Sequence, residues 1–274
     1  MRRLPVTEAL HPRGSDLERL PTDRLLARLH AGDVEAVSAV GRALPALAQL
    51  ADDVARALRA GGRLIYAGAG TSGRLGALDA AECPPTFGVP PSRVRALVAG
   101  GARALTRAVE GAEDDDEAGA AAVQRIRARP GDVVVGISAS GRTPFVRGAL
   151  AEARRRGARV ALLTSNAAAR VPGGRVVVLE TGPELVAGST RLKAGSAAKM
   201  ALSLLSTAVF VRLGAVRGGR MAALRATNTK LRARAVRNVA ALAGVSETAA
   251  RRLLQRAGWS VPAALEAAGT PQGR

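Results

Sequence analysis

The stretch Arg63-Leu-Ile-Tyr-Ala67-Gly68-Ala-Gly70-Thr71-Ser72-Gly73-Arg74 sets the reading of the whole chain. Its first half is a continuous apolar run of strand length. Its second half is small and hydroxylated and leads into a helical pattern from Leu75 to about Glu82, which Cys83-Pro84-Pro85 is expected to end. An unbroken apolar strand, in contrast to an alternating one, belongs in a sheet covered on both faces. The same unit recurs downstream. Further strand patterns lie at Val94–Val98, Asp132–Ile137, Val160–Thr164 and Val176–Glu180. Helical patterns cover residues 114–128 and a segment from Pro144, suited to a first turn, to about Arg156. Five such strands alternating with helices predict an α/β fold with a doubly wound parallel five-stranded sheet.

On the N-terminal side, Asp33 can cap a helix that runs to about Ala60, with Pro45 expected to kink or split it and Gly61-Gly62 to stop it. On the C-terminal side the strands cease after Arg191. Long helices are expected at Ala194–Leu213 and Met221–Leu242, then short ones at Ser246–Gln255 and Val261–Ala268. A boundary at Val216-Arg-Gly-Gly-Arg220 divides the chain into residues 1–216, the main domain with its N-terminal helices, and residues 217–274, a small C-terminal helical module.

Composition narrows the chemistry. The chain has 274 residues and a formal net charge of +19, with 41 Lys+Arg against 22 Asp+Glu. Only Lys193, Lys199 and Lys230 are lysines, and so arginine-rich a chain is also what a GC-rich genome encodes. Between Arg191 and Arg274 stand fifteen basic residues and two acids, Glu247 and Glu266. That density suits a polyanion, but Phe210 and Trp259 are the only aromatics there, so no stacking platform for a nucleic acid exists and nucleic-acid binding is not expected. The single Cys83 excludes an internal disulfide, and with only His11 and His30 beside it no zinc cluster is expected. The N-terminal basic residues are not followed by an apolar segment, and the most apolar run, Ala201–Val211, is about half a membrane span. A cytoplasmic protein without a membrane partner is the expectation.

Ligands of parallel α/β sheets sit at the carboxyl ends of the strands. Two loops at that end share one chemistry: Gly70-Thr71-Ser72-Gly73 and Ser138-Ala139-Ser140-Gly141-Arg142-Thr143. Glycine lets main-chain N–H groups approach an anion, hydroxyls add donors, and each helix start adds partial positive charge. A single loop of this kind is ordinary helix-capping chemistry; two in one sheet point to a phosphate. Gly68, Gly70 and Gly73 match the G-x-G-x-x-G spacing, but the hydroxyl pair suits a phosphomonoester better than a dinucleotide, and no Gly-Lys-Ser/Thr of a P-loop follows. A third polar segment, Gly188-Ser189-Thr190-Arg-Leu-Lys193, precedes a helix and offers a rare lysine. Among carboxylates, Glu82 at a helix C-terminus is electrostatically disfavoured, which hints at function. Glu110 and Glu113 precede a helix and are free to face a cleft, whereas Asp114 to Glu117 suit that helix's dipole.

These residues together resemble the N-acetylmuramic acid 6-phosphate etherase family. The likeness runs through Thr7-Glu8, Asp16-Leu-Glu-Arg-Leu20-Pro-Thr22, Leu64 to Leu75, Leu78-Asp-Ala-Ala-Glu82-Cys-Pro-Pro-Thr86, Ala108-Val-Glu110-Gly-Ala-Glu113-Asp, Gly136-Ile-Ser-Ala-Ser140-Gly-Arg-Thr-Pro144, Gly188 to Lys199 and Ala226-Thr-Asn228-Thr-Lys230. The resemblance implies a sugar-isomerase (SIS) phosphosugar-binding fold of flavodoxin-like order, no cofactor and no metal, and a homodimer with sites near the subunit interface. It implies Glu82 and Glu113 as the catalytic pair. The implied substrate is a phosphorylated amino sugar, whose D-lactyl ether would be cleaved to N-acetylglucosamine 6-phosphate and D-lactate in cell-wall sugar recycling. The implied phosphate and substrate contacts are Thr71, Ser72, Gly73, Ser138, Ser140, Gly141, Arg142, Thr143, Ser189, Thr190 and Lys193. The chain departs from the family in having His11 where Asn is usual and in a somewhat short C-terminal end. Which glutamate is the acid stays open. Two other readings remain: a phosphosugar-binding regulator, which needs the loops but not the glutamates, and a phosphosugar isomerase, which shares proton abstraction at C2 but releases no lactate.

Overall fold

In the computed structural model, which describes residues 6–270, five strands pair in parallel: β1 (Leu64–Gly68), β2 (Val94–Val98), β3 (Val133–Ile137), β4 (Arg159–Thr164) and β5 (Arg175–Val178), in the order β2-β1-β3-β4-β5. Leu64 stands opposite both Val94 and Val133, so β1 and β3 lie level at the sheet centre, and every residue of both is buried. That explains their unbroken apolar sequences.

The sheet is covered on both faces. Leu64, Tyr66, Val135 and Leu163 pack beneath α1 (Thr22–Arg59), α2 (Gly70–Phe87) and α5 (Lys193–Arg212). Ile65, Ala67, Val134 and Leu162 pack beneath α3 (Asp116–Arg125) and α4 (Pro144–Arg155). The helix after β1 therefore covers one face and the helix after β3 the other. Between these adjacent strands the winding reverses, and a crevice opens at their carboxyl ends.

Two helices, α1 and α2, run past their expected bounds. α1 begins at Thr22 and continues as one helix through Pro45, which does not split it. Pro45 and Gly41, whose carbonyl loses its helix partner, are both exposed, so that group can be left to solvent at low cost. The buried stripe Ala36, Ala39, Val40, Ala43, Leu47, Leu50 and Val54 continues on the other side and holds the helix together. Asp33 accordingly lies inside the helix, exposed, and accepts from Ser196 Oγ of α5 at 3.1 Å instead of capping. α2 likewise absorbs both the hydroxylated loop at its start and Pro84-Pro85 at its end. Phe87 stacks on Phe210 of α5 with ring centroids 4.5 Å apart, which keeps that last turn helical. Gly88, at φ 66°, stops the helix by returning its N–H to Pro84 O at 2.9 Å. α5 is long and apolar enough to span a membrane by length and composition, but it is a core helix wedged against α1 and α2, with 56% of its apolar window buried.

The helix expected from Met221 starts later. Residues Val216–Arg217 (β6) and Arg220–Met221 (β7) form a small antiparallel hairpin. Leu224 and Ala226 then run against the chain near Ser260, with Val261 N–H to Leu224 O and Ala226 N–H to Trp259 O, both at 3.0 Å. Asn228 caps α6 (Thr229–Ala243) by accepting from Leu231 N–H at 2.9 Å. With α7 (Glu247–Arg256) and α8 (Val261–Ala267), α6 encloses a separate core of Leu224, Val236, Val239, Leu254 and Leu265.

At the amino edge of the sheet, Asp132 is fully buried and receives Arg63 Nη2 at 2.6 Å and the N–H groups of Arg63 and Arg129 at 3.0 and 3.1 Å. Arg63 also donates to the carbonyls of Ile126 and Arg127. Removing the carboxylate leaves a desolvated guanidinium and two orphaned amides, so Asp132→Ala is expected to lower stability by about 3–5 kcal/mol in a urea titration. A loss below about 1 kcal/mol would mean that water replaces the carboxylate.

Candidate active site

Where the winding reverses, a cavity of about 440 Å³ opens, lined by Gly70, Thr71 and Ser72 of α2 and by Ser138, Ala139, Ser140, Arg142 and Thr143 after β3. Both hydroxylated loops thus meet in one place. Ala69, ahead of α2, offers no side-chain cap, so the first N–H groups of that helix remain as donors at the cavity. Thr143, ahead of α4, does not cap its own helix either: its hydroxyl lies 2.8 Å from Ser138 Oγ. Ser138 Oγ also accepts from Gly141 N–H at 3.1 Å, and Ser140 Oγ accepts from Arg142 N–H at 3.2 Å. The loop is braced from β4: Thr164 Oγ1 donates to Ala139 O at 3.1 Å and Asn166 Nδ2 to Ser140 O at 2.8 Å. The result is a preorganised ring of hydroxyls, held by the loop's own amides, which together with the free N–H groups at the start of α2 suits an oxyanion.

Acids line the same cavity: Glu113 and Asp114, from the short turn Ala112–Asp114, and Glu8 near the N-terminus. Arg74 positions the preceding segment by donating from α2 to Ala104 O at 2.8 Å and Arg107 O at 2.9 Å. Asp114, read from sequence as a helix-dipole residue, is therefore a wall of the site; Asp115 takes the capping role and accepts from Ala118 N–H at 2.7 Å. Thr7, Glu8 and Gly188 also line the cavity. Only their place in a shared motif set marked Thr7 and Glu8 in the sequence, since the fold alone brings these residues to the cavity.

Several expected contacts fall elsewhere. Thr190 lines the cavity but Ser189 does not. Gly73 is outside it: a Cβ there would lie 2.6 Å from Gly68 O, so this glycine serves the close packing of α2 on β1. Gly141 closes the serine turn through its N–H. Lys193 is 2% exposed and pairs through Nζ with Glu35 Oε2 at 2.7 Å. The rare lysine thus ties α5 to α1. Glu35 also pairs with Arg13, and these cations hold its carboxyl below the ordinary range despite the burial that pushes the other way.

Glu82 is exposed on α2 and does not line the cavity. Ten residues separate it from Ser72, roughly 15 Å along a helix. Behind it, burial pushes the Asp79 carboxyl up, while Tyr66 Oη and Ser206 Oγ donate to it at 2.8 and 2.9 Å. This triad locks α2 to β1 and α5. Burial also pushes the Cys83 thiol up to about 12, so it is no nucleophile at neutral pH. Among the described residues no group of three or more His, Cys, Asp or Glu side chains is placed to hold a metal ion. A larger groove of about 650 Å³, lined among others by Val146, Leu150, Arg154 and Arg170, shares Arg142 and Pro144 with the cavity but lacks the hydroxyl ring.

Residues 46–154 match a family model described as the glucokinase regulatory protein N-terminal SIS domain, and residues 234–267 match a UBA-like domain. Among solved structures, a phosphoheptose isomerase from Francisella tularensis aligns at a TM-score of 0.52 and 14% identity, covering 70% of this chain and 100% of that one, a likeness of fold alone. The N-acetylmuramic acid 6-phosphate etherase of Symbiobacterium thermophilum is 47% identical over 264 residues, 96% of this chain and 88% of that protein. The Nostoc punctiforme protein of the same name is 48% identical over 95% of this chain and 85% of its own. Identity at this level over nearly the full length of both chains, on a SIS fold whose serine-lined crevice also holds a glutamate, means that the chain belongs to the N-acetylmuramic acid 6-phosphate etherase family.

Proposed function

We propose that the cavity binds N-acetylmuramic acid 6-phosphate and that the protein cleaves its D-lactyl ether to N-acetylglucosamine 6-phosphate and D-lactate. The observation that carries this reading is the meeting of the hydroxyl ring and Glu113 in one cavity of an etherase-family chain. Thr71, Ser72, Ser138, Ser140 and Thr143 hold the phosphate, with Arg142 and Thr190 at the rim.

The ether at C3 is not an acetal, so departure through an oxocarbenium ion is closed to it. Opening the ring to the aldehyde makes the C2 proton acidic. A carboxylate removes that proton, its electron pair forms the C2=C3 double bond, and the C3–O bond breaks as an acid protonates the departing lactate oxygen. Water then adds, its hydroxyl to C3 and a proton to C2. We assign the base to Glu113 and the acid to Glu82. The exposure of Glu82 outside its own cavity, with further apolar side chains, Leu78 of α2 and Leu204 and Val211 of α5, also exposed, supports a homodimer in which the partner subunit's Glu82 completes the site. In this reading residues 1–216 are the catalytic unit and residues 217–274 the helical module.

Incubation of the protein with N-acetylmuramic acid 6-phosphate in ¹⁸O-labelled water should release D-lactate and place solvent oxygen at C3 of the product sugar. Phosphosugar binding without lactate would mark a regulator, and a ketose without lactate an isomerase.

A further inference from the structure

Glu8 reaches the cavity on a strap that the rest of the fold takes trouble to hold. Gly188 N–H donates to Thr7 O at 3.0 Å, and Thr7 is 1% exposed. The Glu8 carboxylate lies against Gly188, with Oε2 3.0 Å from where a Cβ would stand. Six residues on, the Gly14 backbone sits so close to Leu185 O that a Cβ there would lie 2.5 Å from it. Arg13 pairs with Glu35 and Arg28 with Asp16, which ties this segment to α1. The loop beneath it is fixed by the buried Glu184, whose carboxylate accepts from Lys193 and Ala194 N–H at 3.0 and 2.9 Å. Yet Glu8 itself is exposed and has no hydrogen-bond or ion-pair partner among the described residues.

A strap pinned along its length that ends on an unpaired carboxylate in the cavity wall has been built to present that carboxylate. The geometry points to Glu8 as a substrate-contacting, specificity-determining residue that accepts a hydrogen bond from a neutral donor of the sugar, a hydroxyl or the amide N–H. This assignment rests on the etherase reading above. The charges decide the kind of donor. The phosphate belongs with the helix starts and hydroxyls, and a carboxylate repels both it and the lactyl carboxylate. What remains on the substrate for Glu8 is an uncharged N–H or O–H, and a hydrogen bond to an ionised acceptor discriminates strongly against analogues that lack it.

The test compares Glu8→Ala and Glu8→Gln with the native chain by kcat/KM for D-lactate release and by the inhibition constant of inorganic phosphate as competitor. Glu8→Ala should lower kcat/KM about 10- to 100-fold, mainly through KM, with Glu8→Gln in between because its amide carbonyl still accepts. The phosphate inhibition constant should stay within about twofold, since none of its donors is on the strap. An unchanged kcat/KM in Glu8→Ala overturns the assignment. So does a parallel rise in the phosphate constant, which would make Glu8 a prop for the wall and not a contact. A native chain that releases no lactate overturns the etherase reading and this one with it.

Discussion

Glu82→Gln and Glu113→Gln should each lower D-lactate release about 10²–10⁴-fold, the usual worth of a positioned proton-transfer group. The two inactive variants, mixed and allowed to exchange subunits, should recover activity. The reason is topological. α2 carries Ser72 in the cavity and Glu82 ten residues further on, outside it. If each site combines Glu113 of one subunit with Glu82 of the partner subunit, a mixed dimer has one site with both carboxylates native and one with neither. Random exchange of equal amounts makes half the dimers mixed, so about a quarter of native activity returns in a two-fold assembly. If both glutamates served the same subunit's site, every site in the mixture would lack one, and nothing would return. Exchange confirmed by a mass tag, with no recovery, would sink the shared site; full turnover by Glu82→Gln would sink the assignment of the acid.

How far the sequence alone could be read depends on which interactions set each feature. The parallel sheet and both serine-bearing loops are legible because they are local: a buried strand must be continuously apolar, and a hydroxyl-glycine turn before a helix must expose donors. Helix limits are not local. Pro45 lies on the solvent side of α1, and Pro84 and Pro85 in the last turn of α2 are kept helical by the Phe87–Phe210 stack, so packing overrides a residue that ends helices elsewhere. The start of α6 was hidden for a related reason. Residues 221–228 have helical periodicity, but their backbone pairs with the chain near Ser260, and only Asn228 begins the helix. In the site, sequence reasoning leaves Glu110 and Glu113 equally free to face a cleft, and only the family resemblance singles out Glu113; it also sets Asp114 aside, though Asp114 lines the cavity, and offers Lys193 as a ligand. A rare amine signals a specific need; here that need is a buried ion pair with Glu35, 158 residues away in sequence. The contribution of Thr7 and Glu8 depends on a strap held by Gly188 and Leu185, which no periodicity reveals.

Removing the 6-phosphate from the substrate should lower kcat/KM by at least about 10⁴-fold, and the loss should appear in kcat as well as KM. Two or three hydrogen bonds from amides and hydroxyls to a charged oxyanion are worth about 1.5–3 kcal/mol each, and the donors here are preorganised before the ligand arrives. Ser138 shows how. It is 3% exposed, its hydroxyl is held by Thr143 Oγ1 and Gly141 N–H, and the loop around it is braced by Thr164 and Asn166. With its donors held in place before the ligand arrives, such a cradle can use its interaction with the remote phosphate to orient C2 and C3 against the carboxylates instead of tightening the ground state alone. Loosening the brace should therefore imitate part of the loss: Asn166→Ala, which frees the Ser140 carbonyl, should lower kcat/KM for the phosphorylated substrate while leaving the feeble rate with the unphosphorylated one nearly unchanged. Equal rates with and without the phosphate would take the hydroxyl ring out of the mechanism. A brace mutation that slowed both substrates equally would mean that the loop shapes the carboxylate end of the cavity and not the phosphate end.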